Sequence, residues 1–148
     1  MSTSGDILLV EDDIVIADMM RRMLVRAAYT VRTATDGIEA LDALEEDRPA
    51  VLILDLVLPR MNGFTVLAQM RQQQMTVPVI IITANPLYLD SVRTVGILHV
   101  LLKPFLIEEL LVPVHKVQML KPGISWFSFQ ALKSGLLQAI LKYQYHQH

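Results

Sequence analysis

Apolar residues along this chain come in short unbroken runs, separated by longer stretches in which they return every three or four positions. The runs "ILLV" at residues 7–10, "AVLIL" at 50–54 and "VPVIII" at 77–82 have no polar side, as suits strands covered on both faces. "YTVRTA" at 29–34 alternates like a half-buried strand, and "HVLL" at 99–102 supplies a fifth. Between them the period changes. Residues 14–28 carry Ile16, Met19, Met20, Met23, Leu24 and Ala27 at helical spacing, and "DGIEALDALEED" places Ile38, Leu41 and Leu44 on one side. Further helices are predicted over 65–73, more weakly over 87–95, and over 107–120. Pro78 is tolerable at the start of its strand. Pro113 falls inside the last helix and is expected to kink or break it, at about 3 kcal/mol, unless the fold accommodates it. Five strands alternating with five helices predict an α/β fold, a doubly wound parallel sheet with helices on both faces.

The polar residues that interrupt these runs occupy corresponding places. Glu11 and Asp12 follow the first strand, Asp55 the third, Thr83 the fourth and Lys103 the fifth. A carboxylate at the end of a buried strand costs free energy unless something pairs with it. In an open parallel sheet the carboxyl ends of the strands share one edge, where ligands bind at the reversal of strand order. For the order 2-1-3-4-5, strands one and three are neighbours there, and Glu11, Asp12 and Asp55 meet, flanked by Thr83 and Lys103. Three carboxylates repel one another unless protonated or bridged by a cation, and hard oxygen ligands suit Mg²⁺. A carboxylate can then serve as nucleophile toward a phosphoryl group, with a lysine and a hydroxyl to hold its oxygens. Asp13 and Asp36 read better as helix caps.

Composition narrows the setting. The chain has 148 residues, 53% of them hydrophobic, which suffices for one domain with a substantial core. It has no cysteine, so disulfides and thiolate metal sites are excluded, and the cytoplasm is the default compartment. No apolar run approaches the roughly 18 residues of a transmembrane helix. Residues 1–120 hold ten Lys/Arg against fifteen Asp/Glu, a balance of −5, whereas residues 121–148 hold three lysines and no acid. A boundary is therefore expected at "KPG" (121–123), between a domain over 5–120 and an extension over 121–148. The extension places Leu132, Leu136, Leu137, Ile140 and Leu141 in a stripe that predicts an amphipathic helix. It is too short for a winged or three-helix nucleic-acid reader. Independent catalysis is not expected, because no phosphate-binding loop, dinucleotide fingerprint or nucleophile elbow is present.

The segments "ILLVEDD", "ATDGIEAL", "LILDLVLPRMNGF", "VPVIIITA" and "LLKPF" stand in this order over about residues 5–120. Together they resemble the receiver domain of two-component response regulators, the CheY-like family with a flavodoxin-like fold. The resemblance implies that Asp55 is the phosphoacceptor and that Mg²⁺ is held by Asp12, by Glu11 through water, by Asp55 and by the Val57 carbonyl. It implies that Thr83 and Lys103 bind the phosphoryl group and that Lys103–Pro104 is a cis peptide. The implied donor is a sensor histidine kinase or a phosphotransfer protein.

Two departures bear on how phosphorylation would be read out. The family usually carries Tyr or Phe three residues before the lysine, and here that residue is Val100. The stretch from Thr83 to Lys103 is about two residues shorter than is usual and contains Asn85-Pro86, so its helix is expected to be short or disordered. The surrounding face is also rich in Leu87, Leu89, Ile97, Leu98, Leu106 and Leu110, too many to be interior. An apolar surface over residues 87–111, with the C-terminal helix, is the expected face for a homodimer or another protein, and packing of that helix on its own domain as a sixth helix stays open beside it. The expected function is a Mg²⁺-dependent phosphoacceptor that switches protein–protein interaction without a DNA-binding output domain. A receiver-like module that no longer switches, and the amino-terminal piece of a longer regulator, stay open as alternatives.

Overall fold

The computed structural model describes residues 6–89, 91–92 and 97–118. Five strands, β1 (Asp6–Val10), β2 (Thr30–Ala34), β3 (Val51–Asp55), β4 (Val79–Thr83) and β5 (Ile97–Leu102), form one sheet in the order β2-β1-β3-β4-β5. Every neighbouring pair is parallel. The helices are α1 (Ile14–Arg26), α2 (Gly37–Glu46), α3 (Gly63–Gln72) and α4 (Ile107–Gln118). This is the flavodoxin-like α/β architecture.

The unbroken apolar strands are explained by two cores. Successive side chains of a strand point to opposite faces. Leu8, Val10, Leu52, Leu54 and Ile81 therefore pack on one side with Ala40 and Leu44 of α2 and Val66 and Met70 of α3. Ile7, Leu9, Val51, Ile53, Ile80 and Ile82 pack on the other side with Met20 and Leu24 of α1 and Leu110 and Val114 of α4. With both faces covered, β1, β3 and β4 are buried along their whole length.

The helix starts are set by short polar side chains. Asp13 accepts from the Val15 and Ile16 N–H groups, Asp36 from the Glu39 N–H, and Asn62 from the Thr65 N–H. Each satisfies donors that the first turn leaves without a helical partner, an effect of about 1 kcal/mol per cap.

Three expectations need correction. Only a 3-10 turn, Pro86–Tyr88, stands where a helix over 87–95 was predicted, among the described residues. Asn85 accepts from the Leu87 N–H and Pro86 occupies the first position, so this segment opens as a tight turn. β5 begins at Ile97, two residues earlier than the pattern suggested, which leaves less chain for a helix. Pro113 does not break α4, which runs through it from Ile107 to Gln118. Leu110 and Val114, both fully buried, anchor the helix on either side of the missing backbone donor. The predicted domain end near residue 120 and the amphipathic helix of 121–148 lie outside the described residues. Among the described residues, no helix is long and apolar enough to cross a membrane.

Candidate functional site

The carboxyl ends of β1, β3, β4 and β5 bring the polar interruptions to one edge. Carboxylate oxygens of Glu11, Asp12 and Asp55 lie within 4.8 Å of one another. Glu11 and Asp55 are buried and Asp12 is exposed, so two acids sit at the bottom of the pocket and one at its rim. Lys103 comes from the fifth strand's end. Its Nζ donates to Glu11 Oε1 at 3.0 Å and Oε2 at 2.9 Å, and to Asp55 Oδ2 at 2.6 Å. The Asp55 Oδ1 accepts from the Val57 N–H at 3.0 Å, so both oxygens of this carboxylate are held.

Thr83 is fully buried at the end of β4, and its carbonyl accepts from the Lys103 N–H at 2.7 Å. Its hydroxyl oxygen accepts from the Asn85 N–H at 3.2 Å, which ties it to the loop after β4. The Lys103–Pro104 peptide is cis. Val57 is more than half exposed, and its N–H serves Asp55. The juxtaposition expected of Glu11, Asp12, Asp55 and Lys103 is therefore present, with Thr83 beside the lysine's backbone.

The electrostatics are unbalanced. Burial, reinforced by the neighbouring Asp55 carboxylate and opposed by Lys103, pushes the Glu11 carboxyl up to about 7. Burial alone would lower the Lys103 ammonium, but its hydrogen bonds to Asp55 and Glu11 outweigh that and raise it, so it stays charged. One ammonium faces three carboxylates. The donor set is all hard oxygen and carries excess negative charge, which fits a hard divalent cation such as Mg²⁺.

The loop that follows Asp55 is fixed by contacts that the sequence pattern did not reveal. Arg60 has a positive φ of 61° and pairs with the buried Asp36 at 2.6 Å, so the cap of α2 also clamps this loop. The Gly37 N–H donates to the Met61 carbonyl at 3.0 Å, and the Gly63 N–H to the Leu56 carbonyl at 2.9 Å. A Cβ on Gly63 would stand 2.5 Å from the Asp55 carbonyl oxygen and 2.7 Å from the Leu56 Cα. A Cβ on Gly37 would collide with the Met61 backbone. The Asp36-Gly37 and Asn62-Gly63 pairs were the available signals, as turn and cap dipeptides. Arg60 carried none.

The family model described as "Response regulator receiver domain" matches residues 7–115. The chain belongs to the response regulator receiver family. Among characterised relatives, this receiver is 39% identical over 107 residues to the response regulator MprA of Mycobacterium tuberculosis, matching 71% of this chain and 46% of that protein. MprA of Mycobacterium avium gives the same identity, with 47% of its length matched. The chain thus spans about half the length of the curated relatives it matches. Among solved structures, the receiver is similar to the chemotaxis response regulator CheY4 of Vibrio cholerae, at 34% identity and a TM-score of 0.68. That match covers 78% of this chain and 99% of the other. It is also similar to TrrA of Thermotoga maritima, solved in complex with Mg²⁺ and BeF, at 26% identity and a TM-score of 0.70. There the match covers 79% of this chain and 99% of TrrA.

Proposed function

We propose that this receiver takes a phosphoryl group onto Asp55 in a Mg²⁺-dependent reaction and passes the event on through protein–protein contacts. The observation that carries the reading is the meeting of Glu11, Asp12 and Asp55 with Lys103 at the sheet edge. Glu11, Asp12, Asp55 and the Val57 carbonyl would hold Mg²⁺. Bound there, the ion would neutralise charge on the phosphoryl oxygens during an in-line transfer.

The chain's own residues do the rest. A phosphohistidine of a sensor kinase or a phosphotransfer protein is the donor. An Asp55 oxygen attacks phosphorus, the P–N bond breaks with its electron pair returning to the imidazole, and a P–O acyl bond forms. Asp55 is presented for this step by the Val57 N–H and by the β3 end. Lys103 leaves the Asp55 oxygen for the new phosphoryl oxygens, keeping its charge because Glu11 stays beside it. The Thr83 hydroxyl still has a proton to donate, and it gives it to a phosphoryl oxygen. Asn85 and Leu87 follow Thr83 closely, so this movement is transmitted to a loop whose Leu87 is 81% exposed. The exposed Leu87, Leu102 and Leu106 are the output surface, Leu110 of the expected apolar face being buried in the core instead, and a homodimer is one form of that output.

Titration calorimetry tests the site. One Mg²⁺ should bind, with affinity at least tenfold weaker in Asp12→Asn and in Asp55→Asn. Beryllofluoride, a phosphoryl mimic, should then bind one to one only when Mg²⁺ is present. Equal Mg²⁺ binding in all three proteins, or beryllofluoride binding without Mg²⁺, would reject the assignment.

A second reading has its own support. Val100 is half-buried against the α2/α3 side and has no ring to rotate, and the segment after β4 opens only a 3-10 turn among the described residues. Both favour a module that is phosphorylated without switching. Identical solution scattering before and after stoichiometric phosphorylation would select that reading, and a changed profile would remove it.

A further inference from the structure

The α1 side carries apolar surface that the site above does not use. α1 leaves Met19 54% exposed and Met23 38% exposed. Between α1 and the loop after β5 lies a groove of about 700 Å³, walled by Ile16, Met19, Met20 and Met23 and, opposite them, by Phe105 and Leu106. Lys103 and Ala84 also border it, so it opens beside the acidic pocket. Methionines adapt their shape to an apolar partner, and a groove of this kind needs a cover.

We propose that the cover is this chain's own C-terminal segment, residues 126–142, seated through Leu132, Leu136, Leu137, Ile140 and Leu141. Three observations favour this occupant. The first is reach. α4 starts at the groove, where Ile107 and Glu108 line it, and its 12 residues span about 18 Å at 1.5 Å per residue. The seven residues 119–125 extend to about 23 Å, enough to bring the stripe back along α4. The second is concentration. A stripe on so short a tether meets the groove at an effective concentration on the order of millimolar, far above that of a second copy in dilute solution. The third is charge. Residues 121–148 hold Lys121, Lys133 and Lys142 and no acid, against a balance of −5 for residues 1–120, while the groove's own lining is neutral, with one acid, Glu108, and one base, Lys103. The docking does not rest on the phosphoacceptor reading.

The chain has no cysteine, so introduced pairs report cleanly. The 148-residue chain carrying Met19→Cys with Leu136→Cys is oxidised at low concentration and weighed intact. The expected product is an intramolecular disulfide, forming at least tenfold faster than in Ile38→Cys with Leu136→Cys, where Ile38 lies on the opposite side of the sheet. Equal rates in the two proteins would overturn the proposal. So would disulfide dimers as the main product, which would make a second copy the occupant, or no disulfide, which would leave the groove to another protein. A second measurement uses no cysteine. The methionine methyl resonances of Met19 and Met23 should shift in Leu136→Asp while that of the buried Met70 does not. Unmoved Met19 and Met23 resonances would overturn the proposal. Neither readout involves phosphoryl transfer, so a failure of docking and a failure of the phosphoacceptor reading give different results.

Discussion

The loops after β1 and β3 and the described residues that follow Thr83 start from the same sheet edge, yet they are built to different standards. Around Asp55 each position is held several times over. Asp36 caps α2 and binds Arg60, Gly37 and Gly63 bring backbones into contact, and Lys103 bonds two acids at once. Between Thr83 and β5 the described residues form a single 3-10 turn, Leu87 faces solvent, and Val100 stands where the family usually carries a ring. The β4–β5 pairing also shifts register between Val79 and Ile80. On the proposed function, accepting a phosphoryl group rests mainly on the first set of residues and reporting it on the second, with Thr83 shared between them.

Four substitutions sharpen this contrast. The largest effect is expected for Lys103→Ala, which removes the charge that faces both Glu11 and Asp55. Phosphorylation from a small-molecule donor should slow by about 100-fold, as for loss of one preorganised charge-stabilising donor. A rate within threefold of wild type would show that the lysine is dispensable.

Next is Gly63→Ala. Its Cβ meets backbone atoms, which cannot swing aside, so denaturant unfolding should show a loss of about 1–3 kcal/mol. No loss would mean that the loop after Asp55 is looser than its contacts indicate.

Asp36→Asn comes third and is read against pH. The Glu39 N–H, with Arg60, holds the Asp36 carboxyl below the usual carboxylate range. Its contribution to stability is therefore fully present above its ordinary value of 3.8 and is lost as pH falls through the lower folded value. Between pH 5 and 3 the melting temperature of wild type should fall more steeply than that of the variant. Parallel curves would remove Asp36 from the clamp.

The smallest effect belongs to the other region. Leu87→Ser should change stability by no more than about 0.5 kcal/mol, since it exchanges one exposed side chain for another. If Leu87 instead proves as costly as Gly63, the two regions do not differ in the way proposed.

Much of this molecule is legible from pattern because its sheet is buried on both faces. Runs such as "LILD" and "VIII" have no polar alternation to obscure them, and the residues that end them necessarily fall on one edge. That is why Glu11, Asp12, Asp55, Thr83 and Lys103 could be placed together before any coordinates. The contacts that fix the edge are another matter. Arg60 meets Asp36 across 24 positions of sequence, and nothing local in an exposed arginine marks it for that pairing. Apolar spacing over 87–95 suggested a helix, but the Asn85 side chain and the Pro86 ring start a tighter turn, a choice made by two residues against the pattern of the rest. Pro113 misled in the opposite sense, since a local rule gave way to the burial of Leu110 and Val114.

The most direct test of the central claim, that the phosphoacceptor edge is chemically intact, is the intact mass of the protein after incubation with acetyl phosphate. It is measured with and without Mg²⁺, beside Asp55→Ala. One added phosphoryl group on wild type, absent without Mg²⁺ and absent in Asp55→Ala, is the predicted result. No added mass on wild type under either condition, or equal addition to Asp55→Ala, would contradict the account.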